Sequence, residues 1–261
     1  GLIDLNPTPA QEVIFKIIFS QELDPSTKKE IRMEFRKGKK IYFKKVMMTE
    51  YEIYEFLTQS KYNPLKIKQI KINKINLICG RRSGKTLLSA VISIFCAISN
   101  NWKPFLKKTP MATVLIMSHS REFSDEVLEV IRTLIESSPI LSRLINKDKK
   151  NTTSTMNLKV PWIIKGNLIQ NSRVQIKVSA ASSKTTRGVA ACAILCDEIS
   201  YWGLDENMKE TDVKIIKATR PSMKQFGEHG MLIKLSSPAI KQGVLYGEYK
   251  QFINNELPNT Y

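Results

Sequence analysis

The sequence contains no run of about 18 apolar residues, the length that a helix needs to cross a bilayer. The most apolar long stretch, residues 87–98, is shorter and is broken by Ser89 and Ser93. The first residues also lack the basic start and apolar centre of a secretion signal. We therefore expect a protein that is not secreted and has no membrane partner.

Cysteine and histidine are scarce, and their spacing excludes the common metal and redox motifs. None of the cysteines forms a C-x-x-C pair, and the two histidines have neither metal-ligand spacing nor a catalytic partner. Each cysteine lies in an apolar segment, which favours buried, reduced thiols in a cytoplasmic protein. The residues concerned are Cys79, Cys96, Cys192, Cys196, His119 and His229.

Acidic residues are outnumbered: Asp and Glu total 24 against 41 Lys and Arg, which gives a net charge of +17 over 261 residues. An excess of this size indicates an anionic partner, with nucleic acid ahead of a membrane surface. The apolar fraction of 42% is enough for a folded core. Between residues 28 and 74 the excess is concentrated, with 14 Lys or Arg against 5 Glu.

No internal repeat or low-complexity linker divides the chain, and helical and strand patterns alternate along it. This alternation predicts an α/β fold with a mainly parallel central sheet flanked by helices. The buried strands are expected at 75–79, 113–118, 174–179, 191–196 and 231–235. Helices are expected from a cap at Thr8, at 50–59, 86–99, 121–137 and about 211–218, and at about 243–255; residues 166–167 suggest a hairpin turn.

The segment 79–86 is typical of a phosphate-binding loop, because it follows a predicted strand and opens a predicted helix. Backbone amides at a helix start point toward phosphate oxygens, and the glycines let the backbone approach closely. The segment reads Cys79-Gly80-Arg81-Arg82-Ser83-Gly84-Lys85-Thr86. Lys85 would reach the β- and γ-phosphates of ATP and the Thr86 hydroxyl would bind Mg²⁺. Cys79 replaces the usual first glycine, and the alternative is an ordinary strand–turn–helix corner.

An acidic pair, Asp197-Glu198, ends the apolar strand predicted at 191–196, about 110 residues after the loop. In nucleotide hydrolases a strand beside the phosphate loop ends in this way. Asp197 would hold Mg²⁺, and Glu198 would orient and deprotonate the attacking water. The glutamate predicts hydrolysis as well as binding, although acidic pairs are also common on surfaces.

With these two motifs in place, the chain resembles the ATPase part of phage large terminases, the motors that package DNA into a capsid. Three further segments fit in the right order over roughly residues 7 to 250. Thr8-Pro9-Ala10-Gln11 resembles the adenine-recognition element. Thr186-Arg187-Gly188 resembles the Arg-Gly element, and Ser236-Ser237-Pro238 resembles the coupling motif that links the γ-phosphate to domain motion.

The resemblance implies a P-loop NTPase of the RecA-like (ASCE) class that uses ATP and Mg²⁺ to move double-stranded DNA into a prohead. It implies self-association into a ring, contacts with a portal protein and a small terminase subunit, and a place in the host cell cytoplasm. We expect one ATPase domain over 1–261, with an amino-terminal part (1–74), a core (75–240) and a carboxyl-terminal helix (241–261). We therefore expect no nuclease domain of the family within these 261 residues.

Several roles implied by the resemblance have competitors within the sequence. Gln11 would read adenine, with Gln59 as a weaker candidate. Arg187 would act as a finger on the ATP of a neighbouring subunit, with Arg143 and Arg173 as rivals. Arg81 and, with less support, Arg82 would stabilise charge on the γ-phosphate.

Two other functions stay open at this point. One is a helicase-like DNA-dependent ATPase, although such motors carry two domains of this kind in one chain. The other is a non-catalytic basic module that binds nucleic acid, in which the loop merely turns a corner of the sheet. In each case the basic region 28–74 is a candidate for contacts with the DNA backbone, and its alternative is a solvated surface.

Overall fold

The computed structural model describes residues 6–37, 40–64, 72–80, 82–106, 111–164, 168–204 and 210–253. The chain divides into two compact units, Leu5–Ile72 and a larger one of Gly1–Asp4 with Asn73–Tyr261. We describe each unit by itself.

The smaller unit consists of two helices and a two-stranded antiparallel hairpin that lies between them in the chain. Its elements are α1 (Pro9–Ile18), β1 (Lys29–Lys37), β2 (Lys40–Met48) and α2 (Glu50–Thr58). Both helices begin at the expected places, because Thr8 and Thr49 each form a capping box with the residue three positions later. The hairpin was not predicted, because residues 28–74 stood out in the sequence only by their basic charge.

A buried carboxylate joins the parts of this unit. Glu50 is fully buried and accepts hydrogen bonds from Lys16 on α1, from Lys29 on β1 and from the backbone amide of Asp24, at 2.6–2.8 Å. Burial alone would raise the pKa of Glu50, but the hydrogen bonds from the two lysines hold it below its usual range. The start of the hairpin is thereby fixed to both helices.

The larger unit contains a six-stranded sheet in the order β3-β8-β7-β4-β6-β5. Five of the strands are parallel, and only β5 runs antiparallel, at one edge. The strands are β3 (Lys74–Ile78), β4 (Ala112–Ser118), β5 (Thr155–Ile164), β6 (Leu168–Ala180), β7 (Ala191–Asp197) and β8 (Met231–Ser236). The mainly parallel sheet expected from the sequence is confirmed.

Helices cover both faces of the sheet. Every residue of the central strands β4 and β7 is buried, and successive side chains point to opposite faces, so neither face is open to water. The helices are α3 (Lys85–Ile98), α4 (Arg121–Ser137), α5 (Asp212–Met223) and α6 (Gly243–Ile253). Among the described residues, no helix is both long and apolar enough to cross a membrane.

Two strand expectations differ from the structure. Strand β5 was missed, although Met156, Leu158 and Val160 are buried in alternation along it. Pro161 interrupts its pattern, and a proline is tolerated there because β5 is an edge strand that need not donate every backbone hydrogen bond. In addition, the strand that ends in Asp197 does not lie beside the phosphate-loop strand, because β8 lies between them.

A buried ion pair fixes α6 to the sheet. Lys234 on β8 is fully buried and donates to Glu248 on α6 and, at 3.0 Å, to Asn76 on β3. Lys74 also contacts Glu248, at 2.7 Å. Burial lowers the pKa of Lys234, and the bond to Glu248 opposes that shift. Losing the carboxylate would therefore leave a buried ammonium group without its main partner.

This arrangement predicts an asymmetry between two variants. Glu248→Ala should lower the free energy of unfolding by about 3–5 kcal/mol, because it leaves the buried ammonium group of Lys234 without its carboxylate partner. Lys234→Met removes that charge and leaves Glu248 paired with Lys74, so we expect a loss below about 1 kcal/mol. Urea unfolding of both variants measures the difference, and equal losses would contradict this account of the pair.

Candidate functional site

The candidate site lies at the carboxyl edge of the sheet, where three parallel strands end side by side. The loop 79–84 follows β3, the segment 236–238 ends β8, and Asp197-Glu198 ends β7. The strand register pairs Ile78 with Ser236 and Leu235 with Asp197, so the three segments are neighbours although the chain separates them widely. Polar groups from three regions of the sequence thus meet at one edge.

The loop before α3 has the backbone shape of an anion-binding turn. Arg82 and Gly84 have φ values of 61° and 77°, in the left-handed region, and Gly84 is the residue before the first turn of α3. Glycine has no side chain with which to cap the helix, so the first-turn amides are open to an anionic ligand. A β-carbon added at Gly80 would have no neighbouring atom within 4 Å, so the space beside this residue is open. Arg81 lies outside the described residues.

Lys85 is the centre of the polar cluster. Its ammonium group donates to the Ser237 hydroxyl at 2.9 Å and to the Gly80 carbonyl at 3.4 Å, and it lies 3.4 Å from Oε1 of Glu198. The first residue of α3 therefore contacts the segments that follow β7 and β8. A phosphate in the loop would compete with Glu198 for this lysine.

The two carboxylate oxygens of Glu198 have different surroundings. Oε2 accepts from the Ser236 hydroxyl and from the Ser237 amide, both at 3.0 Å. Oε1 has, among the residues that the structure describes, the lysine at 3.4 Å and the Ser237 hydroxyl at 3.5 Å. Glu198 also has a φ of 49°, which costs a non-glycine residue of order 1 kcal/mol. The anchored Oε2 thus holds a strained residue in place, with Oε1 facing the lysine.

Asp197 and Thr86 have the chemistry that a magnesium ion requires. The Asp197 side chain is buried, accepts from the Glu198 amide at 3.1 Å and forms no salt bridge within the described parts of the chain. Burial, and next the charge of Glu198, raise the pKa of Asp197 to about 6. A cation would compensate that buried charge, and the half-buried Thr86 on the first turn of α3 offers a hydroxyl. No group of three or more His, Cys, Asp or Glu side chains with metal-site geometry occurs in the described ranges.

Ser236 connects the three segments, and one of its partners was not expected from the sequence. Its carbonyl accepts from the Cys79 amide at 3.0 Å, and its hydroxyl accepts from the Ser200 amide at 3.2 Å. Ser200 had no signal beyond its position two residues after Glu198. The Trp202 indole donates to the Asp197 carbonyl at 3.0 Å beneath the site, and Pro238 is exposed.

The glutamines lie in the smaller unit. The side-chain oxygen of Gln11 accepts from the Thr8 amide at 3.0 Å, so Gln11 serves the capping box of α1. Gln59 is exposed and donates to the Phe56 carbonyl at 2.8 Å. The assignment of Gln11 to adenine stays a prediction.

Arg187 is exposed on a loop that α5 holds in place. The Thr186 hydroxyl donates to the Ala218 carbonyl at 3.1 Å, and the Ser222 hydroxyl donates to the carbonyl of Thr186. Ser183 donates twice to Glu210, at 2.7 and 2.8 Å. The loop is thus bound to α5 and to the segment before it, while Arg187, the residue after Thr186, is exposed to solvent.

The two rival arginines lie elsewhere in the fold. Arg143 is exposed in the 3₁₀ turn Leu141–Leu144, after α4. Arg173 is exposed within β6 and pairs with Lys159 of β5, seven residues before the end of its strand. The three arginines thus lie in different parts of the larger unit, and the choice of Arg187 among them stays a prediction.

The comparisons with known proteins identify the fold. No family model and no curated protein matches the sequence. The structure is similar to the large terminase of bacteriophage HK97, with 18% identity and a TM-score of 0.50, over 77% of this chain and 38% of that one. It also matches the large terminase ATPase domain of Thermus phage P74-26, with 14% identity and a TM-score of 0.42, over 71% and 68% of the two chains. This chain therefore spans less than half of the HK97 protein, and the expected resemblance to large terminases is confirmed for the fold.

The raised pKa of Asp197 gives a test without any ligand. In the unfolded chain the pKa of an aspartate is 3.8. Between about pH 4 and pH 6 the folded Asp197 therefore keeps a proton that the unfolded residue has lost, and the contribution of Asp197 to the free energy of unfolding falls as the pH rises. Asp197→Asn removes this titration. We expect the variant to gain up to about 3 kcal/mol relative to wild type between pH 4 and pH 7, measured by denaturant unfolding without Mg²⁺. Asp148→Asn, at an exposed carboxylate, is the control, and a difference that stays constant with pH would contradict the assignment.

Proposed function

We propose that this protein is the ATP-hydrolysing motor domain of a DNA-packaging terminase, which moves double-stranded DNA into a prohead. The observation that carries the proposal is the convergence of Lys85, Glu198 and Ser237 at the carboxyl edge of three neighbouring strands. A corner of a sheet does not need a lysine, an acceptor carboxylate and a hydroxyl within 3.5 Å of one another. A site that binds and cleaves a phosphate anhydride does.

Each residue of the candidate site has a separate role in the proposed binding of ATP and Mg²⁺. The open amides of α3 and the Lys85 ammonium would bind the β- and γ-phosphates, with Gly80, Arg81, Arg82, Ser83 and Gly84 forming the loop around them. Thr86 and Asp197 would hold Mg²⁺, which neutralises phosphate charge when bound. Gln11 would contact adenine.

Glu198 would act on water through the less constrained of its two oxygens. Once Lys85 turns to a phosphate, Oε1 is left as an acceptor for a water proton, while Ser236 and Ser237 keep Oε2 in place. The same two serines begin the segment to Pro238 and α6. A change at the γ-phosphate would therefore pass through this segment toward α6, in keeping with the coupling role proposed for Ser236, Ser237 and Pro238.

The partners of the motor follow from the same proposal. The net charge of +17 suits double-stranded DNA, and the fold is that of a phage large terminase. Self-association into a ring would bring the exposed Arg187 toward the ATP of a neighbouring subunit. A portal protein and a small terminase subunit would complete the assembly, in the cytoplasm of the host cell.

ATP turnover with Glu198→Gln tests the proposal most simply. General-base catalysis contributes about 10²–10⁴-fold, so we expect hydrolysis to fall by at least about 100-fold while ATP still binds. Lys85→Ala should instead weaken ATP binding itself. Turnover is measured with duplex DNA present over a range of protein concentrations, and binding with a fluorescent ATP analogue.

The matched control is Glu129→Gln, at an exposed carboxylate on α4. It should hydrolyse ATP as the wild type does. Wild-type turnover in the Glu198→Gln variant would overturn the assigned mechanism. A wild-type protein that binds no ATP would leave only the basic nucleic-acid-binding function considered from the sequence.

A further inference from the structure

The hairpin β1–β2, which we call the ribbon (residues 29–48), stands out by its charge. Eight lysines and arginines and two glutamates fall within these 20 residues. Its nine residue pairs run from Lys29 opposite Met48 to Lys37 opposite Lys40. At about 3.4 Å per residue, the ribbon is roughly 30 Å long.

The described side chains of the ribbon show which surface is open. Every second residue along a strand lies on the same face of the ribbon, together with the residue paired with it on the other strand. On one face the exposed residues are Glu30, Arg32, Phe43, Lys45 and Met47. On the other face the residues near the helices are half-buried, while Lys44 and Tyr42 are exposed. Phe43 and Tyr42 are 55% and 49% exposed. The ribbon therefore presents cations and aromatic rings together to solvent.

Three contacts, one of Arg32 and two of Lys29, order this surface. The Arg32 guanidinium lies 3.9 Å from the centre of the Phe43 ring, a stacking that limits the motion of the cation. At the base, Lys29 is held by the buried Glu50 at 2.8 Å and by Glu12 at 2.6 Å. Because these anchors hold the base to α1 and α2, a ligand on the ribbon would meet a largely preformed surface.

We propose that the ribbon is a sequence-independent grip on the phosphate backbone of duplex DNA. This inference rests on the proposed motor function and assigns its DNA contact to one surface. Lysine and arginine on such a ribbon bind phosphate oxygens without reading bases, as a protein that moves along DNA requires.

The charge of the ribbon favours DNA over a second copy of this chain as the partner that binds it. A second copy also carries a net charge of +17 and an identical basic ribbon, so like charges would oppose the contact. Duplex DNA carries one negative charge per roughly 1.7 Å of its axis, so a 30 Å ribbon spans many phosphates. The complementarity is therefore to the nucleic acid.

The test compares the salt dependence of duplex binding for the full 261-residue chain and three variants. The ribbon variant combines Arg32→Gln, Lys44→Gln and Lys45→Gln, all at exposed positions. The control combines Lys147→Gln, Lys149→Gln and Lys150→Gln, which removes the same charge from exposed positions in the larger unit. A third variant, Arg32→Lys with Lys44→Arg and Lys45→Arg, keeps the ribbon charge.

Each cation that neutralises a phosphate contributes about −0.9 to the slope of log affinity against log salt. We expect the ribbon variant to lose at least about tenfold in affinity at low salt, with a slope shallower by about 2 to 3. The control and the charge-keeping variant should stay within about threefold of wild type. Basal ATP turnover and the melting temperature should be unchanged in all three variants, because the ribbon carries no catalytic residue.

Three results would overturn the assignment. They are wild-type affinity and slope in the ribbon variant, an equal loss in the control, and a loss of self-association while DNA binding stays intact. These leave the motor proposal standing as long as the wild type binds DNA. A wild type that binds no duplex at low salt would instead contradict the motor function itself.

Discussion

The contact of Lys85 with Glu198 is the interaction on which the candidate site depends. It joins the first residue of α3 to the residue after β7, and Ser237 joins both to the end of β8. These residues are separated by more than a hundred and by about forty positions in the chain. Only a parallel sheet that ends β3, β8 and β7 at one edge brings them together, so the order of the strands is a condition of the chemistry.

The polar groups of this edge are constrained by burial as well as by hydrogen bonds. Asp197 is buried with a raised pKa, and Glu198 has a left-handed backbone that two hydrogen bonds hold in place. Both features reduce stability, and the buried core around β4 and β7 compensates for them. Strain and buried charge concentrated at one edge are typical of a site that binds a charged ligand.

The sequence predicts what local patterns determine and fails where distant parts of the chain decide. The turn between β3 and α3, the helix at 121–137 and the five buried strands follow from apolar runs, caps and glycines. The position of β8 between β3 and β7 cannot be predicted in this way. β8 is the last described strand in the chain, and no residue pattern near it indicates which strands it pairs with. The ribbon escaped prediction because most of its described side chains are exposed, and an exposed strand needs no apolar alternation. Ser200 enters the site through its backbone, which leaves no residue-specific signal.

The most direct measurement is a crystal structure of the protein with Mg²⁺ and a non-hydrolysable ATP analogue. We expect the terminal phosphate within hydrogen-bonding distance of Lys85, the lysine drawn away from Glu198, and Glu198 still bound to Ser236 and Ser237. A nucleotide bound away from Lys85 would contradict the account. So would an analogue in the loop that leaves the Lys85–Glu198 contact intact.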